Sequence, residues 1–496
     1  MIIKYCILIP FLSAACFGYV LSDLNFDRNV DFYDFLIFSN QWLLEDDPDE
    51  PNSIGSGTAD YFVAASDSPD RVKIKADYVC DGIDDHVEIQ AAIDALPDTG
   101  GRVMLSSGQF NIGSAIELHR EVATEFDTWL TGQGPQITTL KLEDGANCNV
   151  IQIVVKDYNA GYKGIADMTI DGSNGYNTSG HGIYARRTGA GRIYNSWLHN
   201  LYIVKCAQTG MYLTSIWDWW ITNCAAEHCG LDGVYLSGHL AFINGLNIFD
   251  NASYGLRISG TKYMITNFCF TAPDTPRGKN PIYGSSLQDS TITNFNIQQW
   301  GSSGAYDYSA IYLNSNCERV QISNGYIYGN ATSHYGVEID GNDNLISNIN
   351  VKDTYKNALI LNGNNNVVSN CYFDDGAAIG GYDVLDTGLG NRIINCGGAG
   401  YEETVMADSP TLHHWGITKL NSSSGAIIAT LPDGQYLGER KTIVMTDATN
   451  SSTVTVIHCN RQANHIYNFD CINEMVELVW TGSEWVEVVK TCADTP

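Results

Sequence analysis

Between residues 180 and 361 the chain repeats a small residue followed by an apolar–variable–apolar triplet. The register runs Gly182-Ile183-Tyr184-Ala185, Gly210-Met211-Tyr212-Leu213, Gly233-Val234-Tyr235-Leu236 and Gly255-Leu256-Arg257-Ile258. It continues as Ala310-Ile311-Tyr312-Leu313, Gly336-Val337-Glu338-Ile339 and Ala358-Leu359-Ile360-Leu361. Most steps are 22 to 28 residues, and one step of 55 fits two coils, with the intervening triplet at Pro281-Ile282-Tyr283. A second marker shares this period. An asparagine opens a short strand at Asn200, Asn223, Asn244, Asn267, Asn294, Asn324, Asn348, Asn370 and Asn395, and the position at Asn244 can slip by a residue. Apolar residues alternating along each strand point inward and stack into one continuous core. Asparagine at a tight bend accepts the left-handed conformation and can bond its counterpart in the next coil. Two markers with one period predict a parallel β-helix rather than a sandwich or propeller.

In such a coil the middle residue of each triplet faces outward. Read down the coils, that column is Tyr184, Tyr212, Tyr235, Arg257, Tyr283, Tyr312 and Glu338. With about 4.8 Å between stacked strands, this is a stripe of tyrosines along one face. Two readings are open: ring faces stacking on sugar rings, or exposed tyrosines that simply favour strands. Trp197 and the run Trp217-Asp218-Trp219-Trp220 lie in adjacent coils, and alternation leaves at least one tryptophan exposed. Trp219 and Trp220 therefore join the candidate sugar-contacting residues. Arg186, Arg187 and Arg192 form a local basic cluster that could hold a uronate or sulfate by charge-assisted hydrogen bonds. The alternative is ordinary surface charge.

The pattern changes at both ends. Residues 77–112 hold Asp81-Gly82, Asp84-Asp85, an amphipathic run from Val87 to Leu96, Gly100-Gly101, an alternating strand and Gly108-Gln109-Phe110. This stretch resembles the opening of pectate-lyase-superfamily proteins, which implies a right-handed parallel β-helix whose open end is capped by a helix. The resemblance speaks to fold and not to activity. Asp81, Asp84 and Asp85 are expected in turn and N-cap roles. From about Glu402 the repeat stops, and strands separated by Pro432-Asp433-Gly434 and Thr481-Gly482-Ser483 predict a small antiparallel β domain over 404–496. Its ending, Leu478-Val479-Trp480-Thr481-Gly482-Ser483-Glu484-Trp485, resembles terminal modules of phage tailspike-like proteins, which implies a cap or a homotrimer. The β-helix itself is assigned to 59–403.

Before the helix, Lys4, the apolar run Ile7 to Phe17 and Ser13-Ala14-Ala15 read as an export signal over 1–21, with Cys16 a candidate lipid anchor. A secreted or cell-surface bacterial protein is expected. Within 22–46, oxygen-bearing side chains fall at loop positions 1, 3, 5, 9 and 12: Asp23, Asn25, Asp27, Asp31 and Asp34. With the Asn29 carbonyl at position 7, this spacing suits Ca²⁺. The segment resembles one half of a type I dockerin repeat, which implies a cohesin-like partner. It departs from that pattern in carrying Arg28 at the usual glycine and in having a single loop. Residues 47–58 read as a linker.

Composition narrows the partners. The 496 residues carry 56 acids against 27 bases, a formal net charge of −29, which disfavours nucleic acid and anionic membrane. An acidic polysaccharide would need Ca²⁺ or a local basic patch. Fourteen cysteines show no zinc-knuckle spacing. Cys224 and Cys371 share a repeat position and read as small buried residues, while Cys459 and Cys471 are the better disulfide candidates.

Gly180-His181-Gly182 looks like a polygalacturonase signature, but the Asn-Thr-Asp that accompanies it in those enzymes does not occur and no Asp-Asp pair lies between the cap and Gly180. Gly182 also sits on the repeat register, which explains it without catalysis. An elimination site would need a base and a cation that neutralises a carboxylate. Asp171 and His181 with Arg186 or Arg187 are the candidates, and Asp218, Glu227, His228, Asp232 and His239 are further acid–base side chains. The expectation is a β-helix lyase or hydrolase acting on extracellular polysaccharide, with a non-catalytic glycan-binding or adhesion protein as its rival.

Overall fold

The computed structural model describes residues 59–496, except 120–126, 273–278, 301–307, 330–334, 375–383, 395, 397–401, 407–410, 413, 435–438, 492, 495 and 496. The export segment and the Asp23–Asp34 loop lie outside the described residues. Among those described, no helix is long and apolar enough to cross a membrane.

A 26-stranded sheet winds from Ala59 to Ile394, with neighbouring coils joined in parallel. The coil Met211–Glu227 shows how sequence makes the turn of the helix. Its backbone bends at Ser215 (φ 60), Asp218 (φ 55) and Asn223 (φ 54), three left-handed residues that divide the strand into short faces. Met211, Leu213, Ile216, Trp219, Ile221, Cys224 and Ala226 are buried between those bends. The next coil, Val234–Phe249, follows in register residue for residue, apart from one irregularity between Thr214 and Ile216. Ile183, Met211, Val234, Leu256, Ile282, Ile311, Val337 and Leu359 form one inward column, each essentially inaccessible to solvent. Each such side chain contributes roughly 1.5–3 kcal/mol by burial.

The asparagine marker is the corner. Asn200, Asn223, Asn267, Asn294, Asn324, Asn348 and Asn370 all have φ between 51° and 55°. Neighbouring corners are linked, with Asn223 Nδ2 donating to Asn200 Oδ1 at 3.2 Å and Asn348 Nδ2 donating to Asn324 Oδ1 at 3.2 Å. One position does slip: Gly245 (φ 72) turns that corner, and Asn244 lies in register with Thr222 and Thr266. Asn395 lies outside the described residues.

The cap is the helix His86–Asp94, which buries Ile89, Ala92 and Ile93. Asp85 precedes it, yet its carboxylate does not cap the helix. It accepts from Gly82 N at 2.8 Å and Asn111 N at 2.7 Å, tying the turn to the first coils. A second core, from Val405 to Trp485, forms over the last residues. The antiparallel pairings expected there hold for His465–Phe469, Met475–Trp480 and Trp485–Lys490. Glu402–Val405, Gly416–Asn421 and Arg440–Asp447 instead pair in parallel, as do Ile427–Leu431 and Ser452–Val456. Coil-like parallel winding therefore persists past the end of the sequence repeat. Cys459 is buried and Cys471 exposed, both as free thiols, so the expected bridge between them does not form.

Candidate functional site: the tyrosine face

The outward column is continuous: Tyr184, Tyr212, Tyr235, Arg257, Tyr283, Tyr312 and Glu338 are consecutive partners across parallel strands. All seven are half-buried. Tyr184 and Tyr212 stack at 5.3 Å and 19°, and Tyr212 meets Tyr235 at 5.1 Å and 59°. Tyr283 stacks on Tyr254 at 4.5 Å and 20° and lies 5.5 Å from Tyr312. Rings stacked along the helix axis spend their faces on one another. The stacked pairs therefore turn ring edges and phenol hydroxyls outward, while Tyr235 and Tyr312 are tilted against their neighbours.

At the middle of the column the ladder is interrupted by charge. The Arg257 guanidinium carbon lies 4.8 Å over the Tyr235 ring and 5.8 Å from that of Tyr254. Lys279 Nζ lies 5.1 Å over the other neighbour's ring, Tyr254. Cation–aromatic contacts hold both charges in place while leaving their hydrogen-bond donors uncommitted. Arg257 Nε is buried with no hydrogen-bond partner. A buried donor in this state costs about 1–3 kcal/mol.

Asp232 closes the site from the turn before Tyr235. It is 7% exposed and its Oδ1 accepts from Tyr254 N at 3.1 Å. Burial raises its carboxyl above the ordinary value, opposed by Ser253, the Tyr254 backbone and then by Arg257 and Lys279. Farther along, Tyr312 OH donates to Asp340 Oδ2 at 2.6 Å and Ser309 Oγ donates to Glu338. Four coil steps separate Tyr235 from Glu338, roughly 19 Å at the usual strand spacing. Inverting or retaining hydrolysis needs two carboxyl groups within about 5–9.5 Å. Asp232 has no such mate along this column.

His181 lies over the same face, its ring 5.3 Å from Tyr184 and 4.8 Å from Tyr212. Its Nδ1 accepts from Thr209 N at 3.1 Å. Burial lowers its pKa to about 4, so it is neutral at pH 7 with the remaining proton on Nε2. In that tautomer Nε2 donates and Nδ1 is engaged by the Thr209 amide, so this arrangement leaves no free base nitrogen on the ring. The flanking glycines are scaffold: a Cβ on Gly180 would sit 1.9 Å from the Cys148 carbonyl oxygen, and one on Gly182 2.7 Å from that of Gly210.

Other sequence candidates disperse. Asp171 ends a strand on another face, paired with Lys141 and Val204, and its carboxylate accepts from Ser173 N at 2.9 Å. No hydrogen bond or ion pair joins Asp171 to His181, and residues 172–182 form the turn between their strands. Arg186 and Arg187 are exposed, and Arg186 donates to Tyr184 OH at 3.3 Å. Trp219 is fully buried, so it cannot touch a polysaccharide. The bend at Asp218 shifts the alternation and turns Trp219 inward. Trp220 is half-buried on a second face, stacked between Trp197 at 5.1 Å and Phe242 at 5.7 Å. Sequence reasoning missed Tyr254 and Lys279, which lie in the turns ahead of the strands and carry no repeat signal. Among the described residues, Cys80, Asp85 and Glu88, and separately Asp470, Cys471 and Glu474, are close enough to share a cation. Neither group lies on the tyrosine column.

Residues 159–299 match the family described as "Right handed beta helix region", the span that holds most of this face. No curated protein matches the chain by sequence. The A-module of mannuronan C-5 epimerase AlgE4 from Azotobacter vinelandii superposes with a TM-score of 0.52 at 17% identity, covering 64% of this chain and 93% of that one. The AlgE6 A-module from the same organism gives a TM-score of 0.43 at 17% identity over 75% and 92% of the two chains. ORF18 of Geobacillus virus E2 gives 0.44 at 15% identity over 82% and 73%. The fold is a right-handed parallel β-helix.

Proposed function

We propose that the chain is a carbohydrate-acting β-helix protein that binds an acidic extracellular polysaccharide along its tyrosine face. The observation that carries this reading is Arg257, a half-buried cation on the outward column, held over Tyr235 and beside Tyr254. A sugar carboxylate is the acceptor that fits it. Lys279 adds a second cation beside the same tyrosine. The phenol hydroxyls of Tyr184, Tyr212, Tyr283 and Tyr312 line a path of five coil steps, roughly 24 Å long at the usual spacing. Sugar hydroxyls along that path would meet donors and acceptors rather than flat rings. The name of the epimerase that shares the fold refers to mannuronan, a uronic acid polymer, and is compatible with this choice.

One observation favours a second reading, elimination or epimerisation rather than binding alone. Asp232 is a buried carboxyl held toward its protonated form next to Arg257, which is where a proton donor to a carboxylate-bearing sugar belongs. The test is a panel of polyuronates and neutral polymers assayed for affinity and for absorbance of unsaturated uronates. Retained affinity for polyuronates without new absorbance, new reducing ends or a changed sugar configuration in the proton NMR spectrum of the recovered polymer supports binding alone. New absorbance lost in Asp232→Asn supports the catalytic reading, and no affinity for any polyuronate overturns both.

A further inference from the structure

The edge between the tyrosine face and the tryptophan face holds a separate cavity of about 300 Å³, lined by Asn159, Arg192, Tyr194, Trp217 and Asp218. We infer that this cavity binds a single neutral sugar residue, such as a branch or chain end of a glycan. Its position follows from the register. Tyr194, Trp217, His239 and Thr261 are consecutive partners across coils, on the short stretch that precedes the Asp218 bend.

The walls are aromatic and held from behind. Arg192 lies 4.9 Å over the Trp217 ring, and His239 packs against that ring at 5.1 Å with its own Nδ1 2.7 Å from Thr261 Oγ1. Trp217 remains 37% exposed. Tyr194 leans across Gly161, where any Cβ would meet its ring at 2.7 Å, and packs edge-on against Tyr162 at 5.8 Å. Gly161 thus makes room for this wall. Asn159 is fixed by accepting from Arg192 N at 2.8 Å.

The polar groups decide the ligand. Arg192 and Asn159 offer donors, Asp218 offers acceptors, and the tyrosine hydroxyl does either. One cation and one carboxylate leave the cavity without net charge, unlike the cationic centre at Arg257 and Lys279. An apolar wall with a few convergent donors and acceptors suits a polyhydroxylated ring with an apolar face. An isolated anion would meet Asp218 and gain little.

The experiment is titration calorimetry of the full chain with neutral hexose tetrasaccharides (gluco-, manno- and galacto-series), repeated on Trp217→Ala, Asp218→Asn and Arg257→Ala. At least one series is expected to bind, to weaken tenfold or more in Trp217→Ala and in Asp218→Asn, and to be unchanged in Arg257→Ala. Asp218→Asn keeps a side chain suited to the left-handed backbone (φ 55), so a loss there reads the ligand and not the fold. Absence of binding in all three series, equal affinity in Trp217→Ala, or loss in Arg257→Ala would each overturn the assignment. The last result would move neutral-sugar binding to the tyrosine face, and failure of polyuronate binding there leaves this cavity's test unaffected.

Discussion

Arg257 sits 4.8 Å over the ring of Tyr235, in the one outward position of the column from Tyr184 to Tyr312 where the repeat replaces tyrosine by a cation. The substitution turns a stack of rings into a charged centre. Arg257→Lys is expected to lose most of the gain, because an ammonium does not reproduce the planar guanidinium and its fixed N–H directions. Polyuronate affinity in that variant should fall about tenfold and be more sensitive to salt, as measured by calorimetry at two ionic strengths.

Asp232 gives a pH prediction whose sign is fixed by its environment. Burial raises its folded carboxyl pKa, so its contribution to stability is full below the unfolded value of about 3.9 and is lost as pH rises through the raised value. Thermal melts of wild type and Asp232→Asn from pH 3 upward should show wild type losing ground to the variant across that window. Parallel curves would contradict the assignment.

His181 carries the opposite sign. Its pKa falls from 6.5 to about 4, so its contribution is present above pH 6.5 and is lost as pH drops through 4. Relative to His181→Gln, which keeps an acceptor for Thr209 N, wild type should lose up to about 3 kcal/mol over that interval. Nitrogen-15 spectra should show the Nε2–H tautomer at pH 7. An Nδ1–H tautomer would restore His181 as a candidate base.

Trp219→Ala should destabilise the chain by about 3–5 kcal/mol and leave glycan affinity unchanged below the melting temperature, because this ring lies wholly in the core. Denaturant titration with parallel calorimetry measures both. A selective loss of affinity would contradict the burial argument.

The fold was legible because the β-helix writes itself twice in the sequence. The inward triplets record the core, and the asparagines record the corner, since few residue types tolerate φ near 53°. The column Tyr184 to Glu338 followed directly, including Tyr283 in the coil without a small residue before its triplet. What the residues did with their outward side chains was not legible. Whether a ring offers its face or its edge depends on the next coil, as Tyr184 on Tyr212 shows. Trp219 misled because alternation was carried through Asp218, a residue whose left-handed bend resets it. Asp232, Tyr254 and Lys279 come from turns of unequal length, where no period marks which residues converge.

The calcium loop remains a proposal from spacing alone. Calorimetry of the full chain with Ca²⁺ should show binding that Asp23→Ala and Asp34→Ala abolish. Heat unchanged by either substitution would assign the ion to other carboxylates.

The most direct test of the tyrosine face is the affinity of wild type and Arg257→Ala for one soluble polyuronate, with Trp217→Ala as the control on the adjoining edge. The expected result is a loss of tenfold or more in Arg257→Ala and none in Trp217→Ala. Equal affinity of wild type and Arg257→Ala would contradict the placement of an acidic glycan on this face.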